Sequence, residues 1–472
     1  MTHSIDRLHQ WAEKNQIVLF RVLIVGAIAL ALVLRALHVT ATPYRSPDER
    51  LYTSWAQQLV QGGLGAYAGI FQHYASDPAQ WIYPSPTRAA HVLLFAGVMK
   101  LTGGTSEQAG AAVSFLMAIG SVAMVGWIGQ RFFNRFVGVL AALFLATYVV
   151  ELEFARRAWG ESTATFLTLL SLATACRLAG APHRLGSRVQ FVLAGTACML
   201  SKETAIFAHG LYAAWLMADR LAARDVRSAV SLVAGCVTSA LGAFVVLTLL
   251  SGDPRLVFDG WSHVFGNGLG SNEWGALHAS GPWYQFVELL WLLAPLTTLM
   301  AALGGLGAAL LPPSATAFQG LVPGARSRAR LLLLSSVAFI AACAFGPNLQ
   351  YLRIMAPANP AYCLLAALGV RGLLVMSDNW GSGRAYVALL LALPLALGLG
   401  WVRDYGLYRD VVVSTGMQDM TARWVIEGAR NRDARALARA QQALTVRPPM
   451  NAPASAPATP SAAGAPPASG PR

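Results

Sequence analysis

The chain has 472 residues, of which 55% are hydrophobic and only 12% are charged, and its mean hydropathy is +0.49. A soluble protein of this size needs more charge to cover its surface, so the composition excludes a soluble enzyme. It predicts an all-α protein that crosses a membrane many times. Nearly all of the +13 net charge is arginine, in short runs between apolar segments. This pattern suits membrane orientation and lipid headgroups, and it argues against a nucleic-acid partner.

Eleven apolar segments approach the roughly 20 residues that a membrane-spanning helix requires. They lie at 17–39, 109–130, 136–150, 162–179, 189–201, 204–219, 228–250, 285–311, 329–346, 353–376 and 385–402. The polar residues 1–16 lack the features of a cleaved signal, so we predict a cytoplasmic N-terminus with the first apolar segment kept as an anchor. A further candidate, "AAHVLLFAGVMKLTG" (89–103), is ambiguous.

The placement of arginine decides whether residues 89–103 span the membrane. If they do not, every basic run, such as "RFFNR" (131–135) and "PGARSRAR" (323–330), falls on the cytoplasmic side. The positive-inside rule requires this arrangement. We therefore predict eleven spans within a transmembrane domain of residues 17–402, with residues 89–103 forming an interfacial or protein-buried helix.

This topology defines two long outer loops and a tail. The first outer loop covers about 40–108 and the second about 251–284. Residues 403–443 are predicted to form a short periplasmic tail with one amphipathic helix. Residues 444–472 are rich in Pro, Ala and Ser, cannot bury a core and are predicted to be disordered.

The stretch "SPDERLYTSWAQQL" (46–59) follows the first span and has two interpretations. Ser46 suits an N-cap, and Glu49 suits the third helical position of a capping box. Asp48 and Glu49 would then only favour the start of a helix. The alternative is chemistry, and the two are compatible, because a capped helix start holds Asp48 rigidly at a fixed depth.

Further ionisable residues gather at the same predicted face from separate segments. They are Glu151, Glu153, Arg156, Arg157, Glu161, Lys202, Glu203 and Arg353. Any one of them could simply reach to the interface, but the positive-inside rule does not explain the acids. Acidic, basic and aromatic groups at an outer interface suit a lipid-phosphate substrate. A basic side chain would neutralise the departing phosphate, and a carboxylate would accept the proton of an incoming hydroxyl.

Several stretches carry a family resemblance in a fixed order. They are "SPDERLYTSWAQQL", "EFARRAWGESTATFLTLLSL" (153–172), "GTACMLSKETAIF" (195–207), "GPWYQFVELLWLLAP" (281–295) and "LQYLRIMAPANPAYCLLAALG" (349–369). Together they resemble the integral-membrane C superfamily (GT-C) of glycosyltransferases, in the branch of protein O-mannosyltransferases and lipid A aminoarabinose transferases. The resemblance covers about residues 20–400. About 70 residues follow the last predicted span, so we expect no large soluble domain of the kind that some relatives carry.

The resemblance implies inverting transfer of a hexosyl- or pentosyl-type sugar from a polyprenyl-phosphate donor at the outer face of a bacterial-type inner membrane. It implies Asp48 as general base, supported by Glu49, with Glu161 at a position where the family more often has Asp. Candidate partners of the donor phosphate are Arg157, Lys202, Arg353 and Arg88. Where the family often has adjacent prolines, this chain reads "YPSPTR" (83–88), which weakens any transfer of substrate specificity.

Other possibilities stay open at this point. A divalent metal bound by His263 with Asp48 or Glu49 is possible in principle, although the spacing matches no closed metal motif. The acceptor group could be a hydroxyl or a phosphate, on a glycolipid such as lipid A, a polysaccharide or a secreted protein. A transporter or lipid flippase is the alternative function, but span centres almost free of acids argue against it. A catalytically silent scaffold is the third hypothesis.

Overall fold

The computed structural model describes residues 15–37, 46–104, 106–266, 273–312, 314–379, 383–413 and 421–445. These residues form helices joined by short connections. No β-strand occurs among them, although Tyr351 and Thr421 form an isolated antiparallel bridge. The chain divides into two compact units, Met1–Gly428 and Ala429–Arg472. The all-α prediction is confirmed.

The helices before the second long loop begin after residue 15. They are α1 (Gln16–Ala36), α2 (Pro47–Gly62), α3 (Ala66–Ser76), α4 (Ala89–Thr102), α5 (Glu107–Phe132), α6 (Arg135–Thr147), α7 (Val149–Ala155), α8 (Glu161–Gly180), α9 (Leu185–Met199), α10 (Glu203–Ala222) and α11 (Val226–Ser251).

The remaining helices begin with two in the second long loop. They are α12 (Pro254–Gly266), α13 (Glu273–His278), α14 (Trp283–Leu293), α15 (Pro295–Leu310), α16 (Ala325–Phe345), α17 (Asn359–Asn379), α18 (Gly383–Leu407) and α19 (Ala422–Thr445). A 3₁₀ segment, Leu352–Ala358, leads directly into α17.

Among the described residues, seven helical segments are long and apolar enough to cross a membrane, and they include α1, α5, α8, α11 and α16. The other two are Leu352–Asp378 and Tyr386–Val413. Two bent pairs, α6 with α7 (61°) and α14 with α15 (113°), raise the number to nine if each is one span. The predicted segments 189–201 and 204–219 form α9 and α10, so the prediction of eleven spans rests on these two helices.

Helix α4 corresponds to the ambiguous segment 89–103. Its 14 residues extend about 21 Å at 1.5 Å per residue, whereas a hydrocarbon core is about 30 Å thick. Its side chains His91, Val92 and Phe95 are fully buried, and the backbone N–H of Ala90 donates to the carbonyl of Leu200 (2.9 Å). This helix is therefore packed into the protein, in agreement with the prediction that it does not span.

Helix α11 shows how the apolar composition is used on the outside. One of its faces carries large exposed aliphatic side chains at intervals of three or four residues. They are Val226, Val230, Val233, Val237, Leu241, Val245 and Leu249. Because residues with this spacing share one side of a helix, the exposed stripe forms a surface suited to lipid tails.

Helices α15 and α17 approach closely because glycines face each other. A Cβ placed on Gly304 would lie 2.0 Å from the carbonyl oxygen of Leu365, and one on Gly369 would lie 2.0 Å from that of Met300. Small residues at such a contact let two helix backbones meet, which is a common basis of helix association in membranes.

We expect Gly369→Ala to lower the free energy of unfolding by about 1–3 kcal/mol or more, because the new methyl group collides with backbone atoms. Gly372→Ala on the same helix is the matched control, since a Cβ there meets nothing within 4 Å. Thermal unfolding of the two purified variants in detergent measures the difference. Equal melting temperatures would contradict the close approach of α15 and α17.

The last long apolar helix extends beyond residue 402, the predicted end of the transmembrane domain. Helix α18 continues to Leu407 and is followed by a π-helical turn, Tyr408–Val413, whose Tyr408 and Val412 are buried. The predicted amphipathic helix of the tail corresponds to α19. The predicted disordered segment lies outside the described residues from position 446 onward.

Candidate active site

The stretch "SPDE" forms the capped start of α2. The Ser46 hydroxyl accepts a hydrogen bond from the Glu49 backbone N–H (3.4 Å), and the Glu49 carboxylate accepts one from the Ser46 N–H (2.8 Å). Pro47 occupies the first helical position. The capping box therefore exists, and it fixes the direction in which the adjacent Asp48 and Glu49 side chains leave the helix.

The Glu49 side chain is fully buried and is saturated with hydrogen bonds. Its Oε1 accepts from the Arg157 Nε (3.0 Å) and the Ala158 backbone N–H (2.9 Å), and its Oε2 accepts from the Arg157 Nη2 (2.6 Å). These bonds tie the start of α2 to the turn before α8. Both carboxylate oxygens of Glu49 are therefore engaged in bonds within the protein, and the supporting catalytic role expected from the sequence stays a prediction.

Arg157, which the sequence predicts to bind the donor phosphate, is enclosed by other side chains. Its guanidinium is fully buried, bonds to Glu49 and Glu153, and lies 4.3 Å from the centre of the Trp159 ring. With two carboxylates as partners and no exposed surface, it presents no face to a phosphate. We therefore assign Arg157 to the packing that supports the site.

We expect Glu49→Gln to lower the free energy of unfolding by about 3–5 kcal/mol, because it leaves the buried Arg157 charge without its main partner. Thermal unfolding in detergent measures this effect. Asp48→Asn is the matched control at the neighbouring position, since that carboxylate is partly exposed, and its melting temperature should change much less. Equal shifts in the two variants would contradict the structural role of Glu49.

Four charged side chains from distant parts of the chain meet beside this packing. The Arg353 Nη2 donates to the Asp48 Oδ2 (2.6 Å) and its Nε donates to the Glu161 Oε1 (2.7 Å). The Lys202 Nζ donates to the same Glu161 oxygen (2.6 Å). The sequence prediction that Asp48, Glu161, Lys202 and Arg353 lie together thus agrees with their positions in the structure.

The four side chains differ in accessibility. Asp48 is 19% exposed, Arg353 12% and Lys202 7%, whereas Glu161 is 1% exposed. The Oε2 atom of Glu161 is buried and has no hydrogen-bond partner in the described part of the chain. Asp48 is therefore the more exposed acid of this network, and Glu161 is a buried acid that bonds to two cations.

Trp159 is a member of the site that the sequence analysis did not single out. Its fully buried ring lies between two guanidiniums, 4.3 Å from Arg157 and 4.5 Å from Arg353, and its Nε1–H donates to the Ser46 hydroxyl (2.8 Å). The sequence "RRAWGE" could have indicated this role, because Trp159 stands between two arginines and Glu161. The ring connects the α2 cap to the cation that faces Asp48.

No protein-family model and no curated protein matches the sequence. Among solved structures, ArnT from Cupriavidus metallidurans in the apo state is 18% identical, with a TM-score of 0.47 over 85% of this chain and 69% of that chain.

Two structures of the oligosaccharyltransferase from Archaeoglobus fulgidus match more closely in shape. AglB in complex with an inhibitory peptide and a dolichol-phosphate has a TM-score of 0.54 at 12% identity, over 87% of this chain and 57% of that chain. The enzyme tethered to an acceptor peptide has a TM-score of 0.52 at 14% identity, over 84% and 55%. The chain has the GT-C fold. It spans little more than half the length of these oligosaccharyltransferases.

Arg88, the remaining predicted phosphate partner, is engaged elsewhere in this GT-C fold. Its Nε donates to both Glu203 carboxylate oxygens (3.0 Å each), its Nη2 lies 2.7 Å from Glu203, and its Nη1 donates to the Tyr52 hydroxyl (2.8 Å). Burial raises the pKa of the Tyr52 phenol, which keeps the hydroxyl protonated. Arg88 therefore joins α2 to the start of α10 next to Lys202.

The residues proposed for a metal do not form a donor set in this GT-C fold. The His263 ring stacks on Trp81 with 3.7 Å between ring centres, and the Asp48 Oδ2 is bonded to Arg353. No group of three or more His, Cys, Asp or Glu side chains in the described residues could hold a metal ion. The residues present do not fit the predicted divalent metal, and we derive no step through one.

A small apolar cleft contains two residues that are close to Lys202 in the chain. It has a volume of about 270 Å³ and is lined by side chains from α9, α10, α11 and α12. Two of its walls are Met199 and Ile206, which flank Lys202 in the chain, and the Ile206 N–H donates to the Lys202 carbonyl (3.2 Å). The cleft therefore includes residues within four positions of Lys202 in the chain.

Proposed function

We propose that the chain transfers a sugar from a polyprenyl-phosphate donor to an acceptor hydroxyl at the outer face of the inner membrane. The observation that carries the proposal is the accessible Asp48 carboxylate, held by Arg353 within a network that also contains Lys202. The fold supports it, because AglB, which shares the fold, is described in complex with a dolichol-phosphate.

The proposed reaction is a single displacement. The acceptor oxygen attacks the anomeric carbon of the donor while Asp48 takes the proton of the acceptor hydroxyl. A bond forms between the acceptor oxygen and that carbon, and the bond from the carbon to the phosphate oxygen breaks. The electron pair leaves with the polyprenyl phosphate, and the configuration at the anomeric carbon inverts because the acceptor attacks opposite to the leaving group.

Lys202 and Arg353 are the proposed partners of the donor phosphate. Both bond to a single Glu161 oxygen, and Arg353 also bonds to Asp48. A phosphate that takes over the Arg353 guanidinium frees Asp48 to accept a proton, which couples donor binding to base activation. Burial lowers the pKa of the Lys202 ammonium, and the Glu161 carboxylate offsets part of that effect. The bound donor phosphodiester, which is a monoanion, would stabilise the protonated form further, and the departing phosphate monoester would do so more strongly.

The tail of the donor is proposed to enter the apolar cleft lined by Met199, Ile206, Phe244 and Leu247. In the cleft, the hydrocarbon tail would contact apolar side chains in place of lipid or water. The lipid-facing surface of α11 continues from this cleft along the same helix. A long polyprenyl chain can therefore extend into the bilayer while its phosphate stays level with Lys202.

Glycan profiling of a deletion strain tests the proposal. Lipid A, polysaccharide and secreted glycoproteins from the deletion strain are compared with those of strains complemented by wild-type protein or Asp48→Asn. We expect one glycoconjugate to lose a sugar residue and only the wild-type protein to restore it. Restoration by both proteins would contradict the assignment of Asp48. Movement of a glycolipid across liposomes by the purified protein without transfer would instead support a flippase.

A further inference from the structure

A second, larger cavity lies at the other end of α10 from the candidate active site. It has a volume of about 670 Å³ and is lined by the last turns of α10, the connection 318–324 and the first turn of α16. Lys202 precedes α10, and the cavity contains Ala222, the last residue of that 20-residue helix. At 1.5 Å per residue the two sites are about 30 Å apart. The cavity is therefore separate from the transfer site.

Two arginines give the cavity positive charge. Arg326 and Arg330 line it, and both also donate to the last carbonyls of α15. The Arg330 Nε bonds to Ala308 (3.1 Å) and its Nη2 to Ala309 (3.3 Å), while the Arg326 Nη2 bonds to Ala309 (3.4 Å). A guanidinium has five N–H donors, so these bonds orient each side chain and leave further donors.

The acid in the cavity wall is already paired. Asp219 accepts a hydrogen bond from the Ser327 hydroxyl (2.7 Å) and forms an ion pair with Arg220 (3.4 Å). Its charge is balanced by a cation outside the lining. The surplus charge of the cavity is positive and comes from Arg326 and Arg330.

Donors in the cavity wall lack acceptors from the protein. The Arg326 Nε and the Trp215 Nε1 are buried and have no hydrogen-bond partner among the residues that the structure describes. Buried N–H groups of this kind are rare and call for an external acceptor. The first turn of the 21-residue α16, from Ala325 to Ser327, lines the same cavity, and backbone N–H groups at a helix start attract anions.

We propose that this cavity binds the phosphate of an anionic phospholipid headgroup. The ligand needs negative oxygens for the arginines and the indole, and it needs a neighbouring apolar part for Phe318, Leu321 and Val322. A glycerophospholipid offers both. The cavity lies among arginine-rich connections that the sequence predicts to be cytoplasmic, and basic pockets between membrane helices on that side suit acidic headgroups.

Native mass spectrometry of the full chain tests this site. The protein is reconstituted with phosphatidylglycerol or phosphatidylcholine, and the retained lipid is measured. We expect retention of phosphatidylglycerol, and a loss of about thirtyfold in its affinity in the double variant Arg326→Gln with Arg330→Gln, at about 1 kcal/mol for each charge. Arg184→Gln is the matched control, because Arg184 is an exposed arginine of the α8–α9 connection.

A second variant distinguishes weaker lipid binding from misfolding. Trp215→Phe keeps an aromatic ring and removes only the indole N–H, so we expect weaker phosphatidylglycerol retention with an unchanged elution profile and melting temperature. Inorganic phosphate alone is added in a separate arm. Equal retention of the two lipids, or unchanged retention in the double variant, overturns the proposal. Stabilisation by free phosphate without lipid preference overturns the lipid assignment.

Discussion

Asp48→Asn is expected to lower the rate of sugar transfer by roughly 10²–10⁴-fold, the usual contribution of a general base. Asparagine keeps the size of the side chain and can still accept a hydrogen bond from Arg353, but it cannot take the proton of the acceptor. The initial rate of transfer by purified protein in liposomes measures the effect, with the donor and acceptor that glycan profiling identifies.

The controls separate lost chemistry from lost structure. Asp48 is partly exposed and does not take part in the Ser46–Glu49 capping box, so the variant should elute and melt close to the wild type. Binding of undecaprenyl phosphate, followed by native mass spectrometry, should persist because Lys202 and Arg353 remain. Transfer at the wild-type rate by the Asn variant would remove Asp48 from the mechanism.

The helical layout could be predicted because it depends on local composition. Each predicted apolar segment is helical, although 136–150 and 285–311 are each divided into two helices, and arginine placement alone separates α4 from the predicted spans. The bends could not be predicted with the same ease. The break at Tyr148 depends on one residue with an extended backbone inside a continuous apolar run, and such a choice is made by packing. The restart at Pro295 carries a visible signal, because proline cannot donate within a helix.

The proximity of the charged residues could be predicted from their shared depth in the membrane, but the role of each residue could not. Consecutive residues on a helix point about 100° apart, so only one of Asp48 and Glu49 can face the accessible side. The sequence does not reveal which one, because both acids suit the first turn equally. The partner on the far side, Arg157, lies 108 positions from Glu49 in the chain. That contact accompanies the burial of Glu49, and Asp48 is the more exposed of the two acids.

Arg353→Gln should lower the turnover number by about 10²–10³-fold, because it removes a cation that would stabilise the departing phosphate. The free variant also loses the bridge between Asp48 and Glu161. Lys202 remains bonded to Glu161, so some affinity for the lipid phosphate should survive. Steady-state transfer kinetics and binding of undecaprenyl phosphate together resolve the two effects.

Arg88→Gln is the matched control for this prediction. Arg88 has similar accessibility to Arg353, but its guanidinium is paired with Glu203. Its loss leaves a nearly buried carboxylate without a partner, so the variant should melt at a lower temperature while its turnover number stays close to that of the wild type. If Arg88→Gln lowered the turnover number and Arg353→Gln did not, the donor phosphate would instead lie beside Glu203. The pair of variants therefore decides which of the two arginines faces the leaving group.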